Sequence, residues 1–163
     1  MSIVSINISY ANQSDDVVIQ NLYHFLPKSL SPIQKTLWWS QQFLEQPYQL
    51  GPLGEGEQGL YDQSPLYKTT GFDCTTYLET VIALSHATDL RSFKSQIINL
   101  RYKNHNATYL SRNHFTSLDW LPNNERKGYI KDITNTILNK QKKTIYKTAL
   151  AIIDKGAWIE KKT

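Results

Sequence analysis

The strongest protein nucleophile in this chain is Cys74, the single cysteine among 163 residues. It sits in Gly71-Phe72-Asp73-Cys74-Thr75-Thr76, where a turn-rich stretch ends and helical spacing begins. The stretch before it carries Gly51, Pro52, Gly54, Gly56, Gly59 and Pro65. After it, Leu78, Val81, Ile82 and Ser85 recur at helical intervals, which predicts a helix with that stripe turned inward. Asp73 is a fitting N-cap, and Cys74 would then be the first helical residue. Unsatisfied amides and the helix dipole at such a position favour a thiolate over a thiol. Cys74 is equally in register with Leu78 and Val81, as an ordinary buried cysteine would be. Spacing alone leaves both readings open.

A cysteine that cleaves amides needs an imidazole within reach, a group that orients it, and donors for the oxyanion. The chain offers His24, His86, His105 and His114. His24 lies beside an apolar stripe, while His86 and His105 fall in polar turns, which suits surface histidines. Arg112 presents a planar fork that fits a carboxylate, whether of a substrate or of a surface ion pair. Asp119 could orient an imidazole or cap the turn at Trp120. One cysteine excludes an intrachain disulfide and a cysteine-based zinc site, and the histidines lack ligand spacing. The reading therefore needs no metal and no other cofactor.

The elements that must position these groups follow from periodicity and punctuation. Residues 15–26 read as a helix capped by Asp15, with Val17, Val18, Leu22, Phe25 and Leu26 as its stripe and Pro27 as its stop. Ser31-Pro32 opens a second helix that buries Ile33, Leu37, Trp38, Phe43 and Leu44 and ends before Pro47. Residues 49–71 form a loop long enough to be functional or mobile. Behind the Cys74 helix, a turn at 86–89 leads to a helix over about 90–102 with Phe93, Ile97 and Leu100 inward. Thr108 to Leu110 reads as a short strand, and Ser117 to Trp120 as a helical or turn segment closed by Pro122-Asn123-Asn124. Strands are expected at Tyr129-Ile130, near Ile133 and over Thr144 to Ile153, while 134–139 is ambiguous.

Three ordered stretches resemble a bacterial family described as N-acetylmuramoyl-L-alanine amidase-like, within the NlpC-type cysteine peptidases. They are Phe43-Leu44-Glu45-Gln46-Pro47-Tyr48, the run FDCTTYLETVIALS from Phe72, and Leu100-Arg101-Tyr102 with Ser111-Arg112-Asn113-His114-Phe115 and Asp119-Trp120. Together they span about residues 37–120. The resemblance implies an α+β fold with a papain-like core, N-terminal helices packing on a small antiparallel sheet. It implies a peptidoglycan amidase or peptidase with Cys74 as nucleophile. Tyr48, Arg112, Asp119 and Trp120 would line the substrate pocket. The family's base histidine usually stands on a later strand, and no histidine follows His114 in this chain. Either His114 serves as the base, or the catalytic half is truncated or degenerate, leaving a muropeptide-binding module. The resemblance also implies a periplasmic or secreted location.

Length and composition fit one soluble globular domain over 1–163, its basic part from 126 left open as an incomplete half-domain. Ten tyrosines and four tryptophans suit a sugar- or peptide-binding cleft, or a core. The segment before Cys74 is acidic and the tail basic, giving a net charge of +4. That pattern favours an anionic partner such as cell-wall polymer, or is a solvated face. No nucleic-acid motif accompanies it, and no apolar run reaches transmembrane length. The opening residues lack the basic start of an export signal and read at most as a stub of one.

Overall fold

The computed structural model describes residues 13–140. The chain divides into two compact units, Met1–Asn113 and His114–Thr163. Among the described residues every named element is helical, and β pairing is limited to two isolated bridges. This corrects the expected α+β fold: among the described residues no antiparallel sheet stands against the N-terminal helices. The expected strand at Thr108 to Leu110 is instead a 3₁₀ turn, Tyr109–Ser111, because Thr108 and Ser111 bond each other's side chains and backbone. The expected strand over Thr144 to Ile153 lies outside the described residues.

Among the described residues the first unit carries the α-helices α1 (Asp15–Phe25), α2 (Pro32–Gln42), α3 (Cys74–His86) and α4 (Leu90–Arg101). Helix α3 packs on both α2 and α4, and α1 packs on α4. Ser14, not Asp15, caps α1. This leaves Asp15 to accept hydrogen bonds from the Thr69 backbone (2.7 Å) and hydroxyl (2.6 Å). Ser31 caps α2 in a reciprocal box with Gln34, with Pro32 in the first turn. Helix α4 buries Phe93, Ile97 and Leu100 completely, as its spacing predicts.

Helix α3 is rotated from the expected face. Leu78 is exposed, whereas Thr76, Glu79, Thr80, Val81, Ala83 and Leu84 are buried. Buried threonines are tolerable in a helix because the hydroxyl can bond a carbonyl one turn back, as Thr80 does to Thr76 at 2.8 Å. Both ends of α3 are fastened. Asp73 and Thr76 form a capping box at its start. At its end, the Lys35 ammonium donates to the Ala87 carbonyl (2.8 Å) and the Tyr23 hydroxyl to that of Leu84 (3.4 Å).

The second unit begins with a π-helical turn, Thr116–Trp120, continuing into α5 (Leu121–Arg126) and then α6 (Thr134–Lys140). Pro122 does not close the segment as expected. It occupies the first turn of α5, which runs on directly from the π-helical turn. Gly128, at φ 82°, ends the helix in the left-handed region. The expected strands at Tyr129-Ile130 and Ile133 are absent among the described residues: the Glu125 carboxylate accepts the Asp132 N–H and Asp132 that of Thr134, leading the chain into α6.

Candidate active site

Cys74 is exposed at the first position of α3. The buried-core reading of this cysteine fails, because the α3 face carrying Cys74 and Leu78 looks outward. Its sulfur lies 3.9 Å from the Thr75 hydroxyl. The Asp73 carboxylate accepts from the Thr76 N–H (2.7 Å), and the Tyr77 N–H is taken by the Asp73 carbonyl (3.0 Å). The Cys74 and Thr75 N–H groups make no hydrogen bond among the described residues. An exposed thiol thus stands beside two open backbone donors at the positive end of a helix dipole, the arrangement that stabilises an oxyanion.

The segment before Cys74 is stitched to the end of α2. Tyr48 and Phe72 form a parallel bridge, with Gln49 N–H donating to the Phe72 carbonyl (2.9 Å) and Phe72 N–H to that of Pro47 (3.2 Å). The other oxygen of Asp73 accepts the Gly51 N–H at 3.2 Å. Phe72 sits edge-on between Phe43 and Tyr77, and the Tyr77 hydroxyl donates to the Ser40 carbonyl at 2.7 Å. Tyr48 is therefore held beside the Cys74 turn while its own ring stays 71% exposed. The bonds that tie the Tyr48 segment to the stretch before Cys74 are made by its neighbours Pro47 and Gln49 with Phe72.

Behind Cys74, one helical turn further on, stands a buried ion pair that periodicity does not flag. Arg101 of α4 meets Glu79 of α3 through Nε and Nη2, each at 2.8 Å, with both side chains 2% exposed. Burial alone would lower the arginine's pKa, but Glu79 and Tyr102 beside it raise it above its ordinary value. The same guanidinium donates to the Leu66 carbonyl (2.7 Å), and the Tyr102 hydroxyl to that of Gly54 (3.1 Å). Burial pushes the Tyr102 hydroxyl up to about 12. The 49–71 loop is thereby anchored to α4 and, through the ion pair, to α3, whose first residue is Cys74.

Arg112 secures the same loop from its rim. It donates to the Leu53 carbonyl (2.8 Å) and to the Asp62 carboxylate (3.3 Å), with Glu55 at 3.7 Å. The fork expected to meet a substrate carboxylate is engaged within the protein. Glu55 is itself buried, and neither of its carboxylate oxygens makes a hydrogen bond. Burial holds its pKa above the usual carboxylate range, against the pull of Arg112.

His114, Asp119 and Trp120 belong to the second unit. His114 is partly exposed; Asp119 and Trp120 are buried on the π-helical turn. That unit has a cavity of about 750 Å³, lined by Leu121, Pro122, Ile130, Ile133 and Ile137 among others, and none of the expected site residues lines it. No cluster of three or more His, Cys, Asp or Glu suited to a metal occurs among the described residues. No described helix is long and apolar enough to cross a membrane.

Comparison with known proteins adds three findings. Residues 38–163 match the family AmiA-like, described as N-acetylmuramoyl-L-alanine amidase-like. Protein LPG0564 from Legionella pneumophila, of the family DUF1460, is 43% identical over 78% of this chain, with a TM-score of 0.73. An N-acetylmuramoyl-L-alanine amidase from Bacteroides uniformis shares the fold at 24% identity, with a TM-score of 0.53 over 63% of this chain. The chain spans 42% and 43% of the length of those two structures. No curated protein matches the sequence.

Proposed function

This chain belongs to the N-acetylmuramoyl-L-alanine amidase-like family, and on that premise we propose that it hydrolyses an amide bond of the peptidoglycan stem peptide with Cys74 as nucleophile. The observation that carries the reading is the exposed thiol on the first turn of α3, next to the open N–H groups of Cys74 and Thr75. The thiolate attacks the amide carbonyl, and the oxyanion forms within reach of those donors. The amine leaves with a proton from an imidazole, and water then hydrolyses the thioester to regenerate the thiol. We assign the imidazole to His114 from its place in the Ser111-Arg112-Asn113-His114-Phe115 stretch, and Tyr48 lies on the segment bridged to Phe72, two residues before Cys74. The setting is the bacterial cell envelope, periplasmic or secreted.

The test is hydrolysis of purified muropeptides by the wild type, Cys74→Ala and His114→Ala. Both variants are expected to lose roughly 10³-fold or more in kcat while muropeptide binding survives. Full activity in Cys74→Ala would refute the nucleophile. Binding without turnover in the wild type would favour the rival assignment, a muropeptide-binding module.

A further inference from the structure

Helix α2 leaves in solvent two apolar side chains that its spacing predicts to be buried. Ile33 is 75% exposed, and Leu37, one turn on along the same face, is 49% exposed. The core side of α2 is filled without them, by Trp38, Trp39 and Gln42. At the end of α1, Phe25 is 50% exposed. The turn that joins the two helices adds Lys28, also exposed.

The backbone under these side chains is fixed. The box between Ser31 and Gln34 closes the first turn of α2. Lys35 of α2 and Tyr23 of α1 both donate to carbonyls at the end of α3, those of Ala87 and Leu84. The Tyr23 ring also packs edge-on against Trp39, with centroids 4.9 Å apart. Charge on the hairpin has one sign, because residues 17–44 contain Lys28 and Lys35 but neither Asp nor Glu. Asp89 follows the end of α3, but its carboxylate is taken up by the Ser92 N–H (2.7 Å) and hydroxyl (2.8 Å). Arg91 stands two residues after it.

We propose that the α1–α2 hairpin is a peripheral anchor that sets Phe25, Ile33 and Leu37 into the surface of an anionic phospholipid bilayer. This goes beyond the amidase reading and rests only on the envelope setting proposed with it. A bilayer surface accepts apolar side chains that project, whereas a protein partner must offer a matching hollow for each. Lys28 gains from anionic headgroups while the apolar side chains reach the acyl boundary. A second copy would instead set one projecting, positive face against another.

The test is co-sedimentation of the full chain with vesicles of phosphatidylcholine, alone or mixed in equal parts with phosphatidylglycerol. Binding is expected to the mixed vesicles, and roughly tenfold or more weakly to phosphatidylcholine alone. Phe25→Ser and Ile33→Ser should each weaken binding to the mixed vesicles roughly tenfold, and Lys28→Gln about fivefold. Leu60→Ser, at a leucine 83% exposed on the 49–71 loop, is the control and should bind as the wild type does. All four are surface changes, and circular dichroism checks that the variants fold. Equal binding by the wild type, Phe25→Ser and Ile33→Ser overturns the anchor. So does an equal loss in Leu60→Ser, or a dimer in sedimentation velocity that Ile33→Ser disperses, which would give this face to a second copy. Hydrolysis of soluble muropeptides is measured on the same proteins. No binding to the mixed vesicles with hydrolysis intact removes the anchor alone, and vesicle binding without hydrolysis removes the amidase reading alone.

Discussion

Arg101 and Arg112 hold the same loop from opposite environments. Arg101 is enclosed, paired with Glu79 and hooked to the Leu66 carbonyl, with 2% of its side chain exposed. Arg112 is at the rim, 20% exposed, and shares its fork between Asp62 and the Leu53 carbonyl. The inner clamp joins α3, α4 and the loop, so its loss disturbs the element that presents Cys74. The outer clamp joins the loop to the 3₁₀ turn and leaves α3 alone. Charge in both places serves geometry, but water screens only the second.

Breaking the inner clamp should have the largest effect. Glu79→Ala leaves a buried guanidinium without its carboxylate and is expected to cost about 3–5 kcal/mol by urea denaturation. A loss below about 1 kcal/mol would erase the contrast between the clamps. Next comes Gly54→Ala. An added Cβ would lie 2.4 Å from the Asp62 carboxylate and 2.7 Å from its backbone carbonyl, at the residue whose own carbonyl receives Tyr102. Overpacking of this kind costs about 1–3 kcal/mol, measurable as a lowered Tm. Arg112→Ala should cost about 1–2 kcal/mol, because a partly exposed pair and one carbonyl bond are lost while α3 keeps its anchors.

The smallest effect sharpens the comparison through pH. The Glu55 carboxyl holds its proton more tightly folded than unfolded, because burial raises its pKa. Its contribution to stability is therefore full below the unfolded value and lost as pH rises through the folded one. Glu55→Gln should remove that loss, so the variant gains on the wild type as pH rises from acid to neutral, by no more than about 1 kcal/mol. A stability difference that is flat with pH would mean that Glu55 is ionised beside Arg112 in the folded protein.

Local chemistry was legible in the sequence where a short-range rule decides the structure. Ser31-Pro32 and Asp73 cap helices as their residue types dictate, and Phe93, Ile97 and Leu100 read directly as a buried stripe. The facing of α3 was not legible, because its inward side carries Thr76, Glu79 and Thr80, which apolar periodicity counts as outward. Glu79 and Arg101 are acceptable inside only because they meet each other, and that meeting is a tertiary event between two helices. Arg101 does stand in the Leu100-Arg101-Tyr102 motif, so a signal was present, though without its partner. The strands expected at Thr108 to Leu110, Tyr129-Ile130 and Ile133 failed for a related reason. Polar side chains such as Thr108, Ser111 and Asp132 bond nearby backbone and turn the chain before a ladder forms.

The fastening of α3 at both ends has a consequence in time. A helix capped by Asp73 and Thr76 at one end, and held through the Leu84 and Ala87 carbonyls by Tyr23 and Lys35 at the other, does not fray. Its central amides exchange with solvent only when the whole unit opens, so their protection reports the global stability of that unit. Cys74, on the first turn of that helix, shares its anchoring, so its amide should be tied to the opening of the same unit rather than to local fraying.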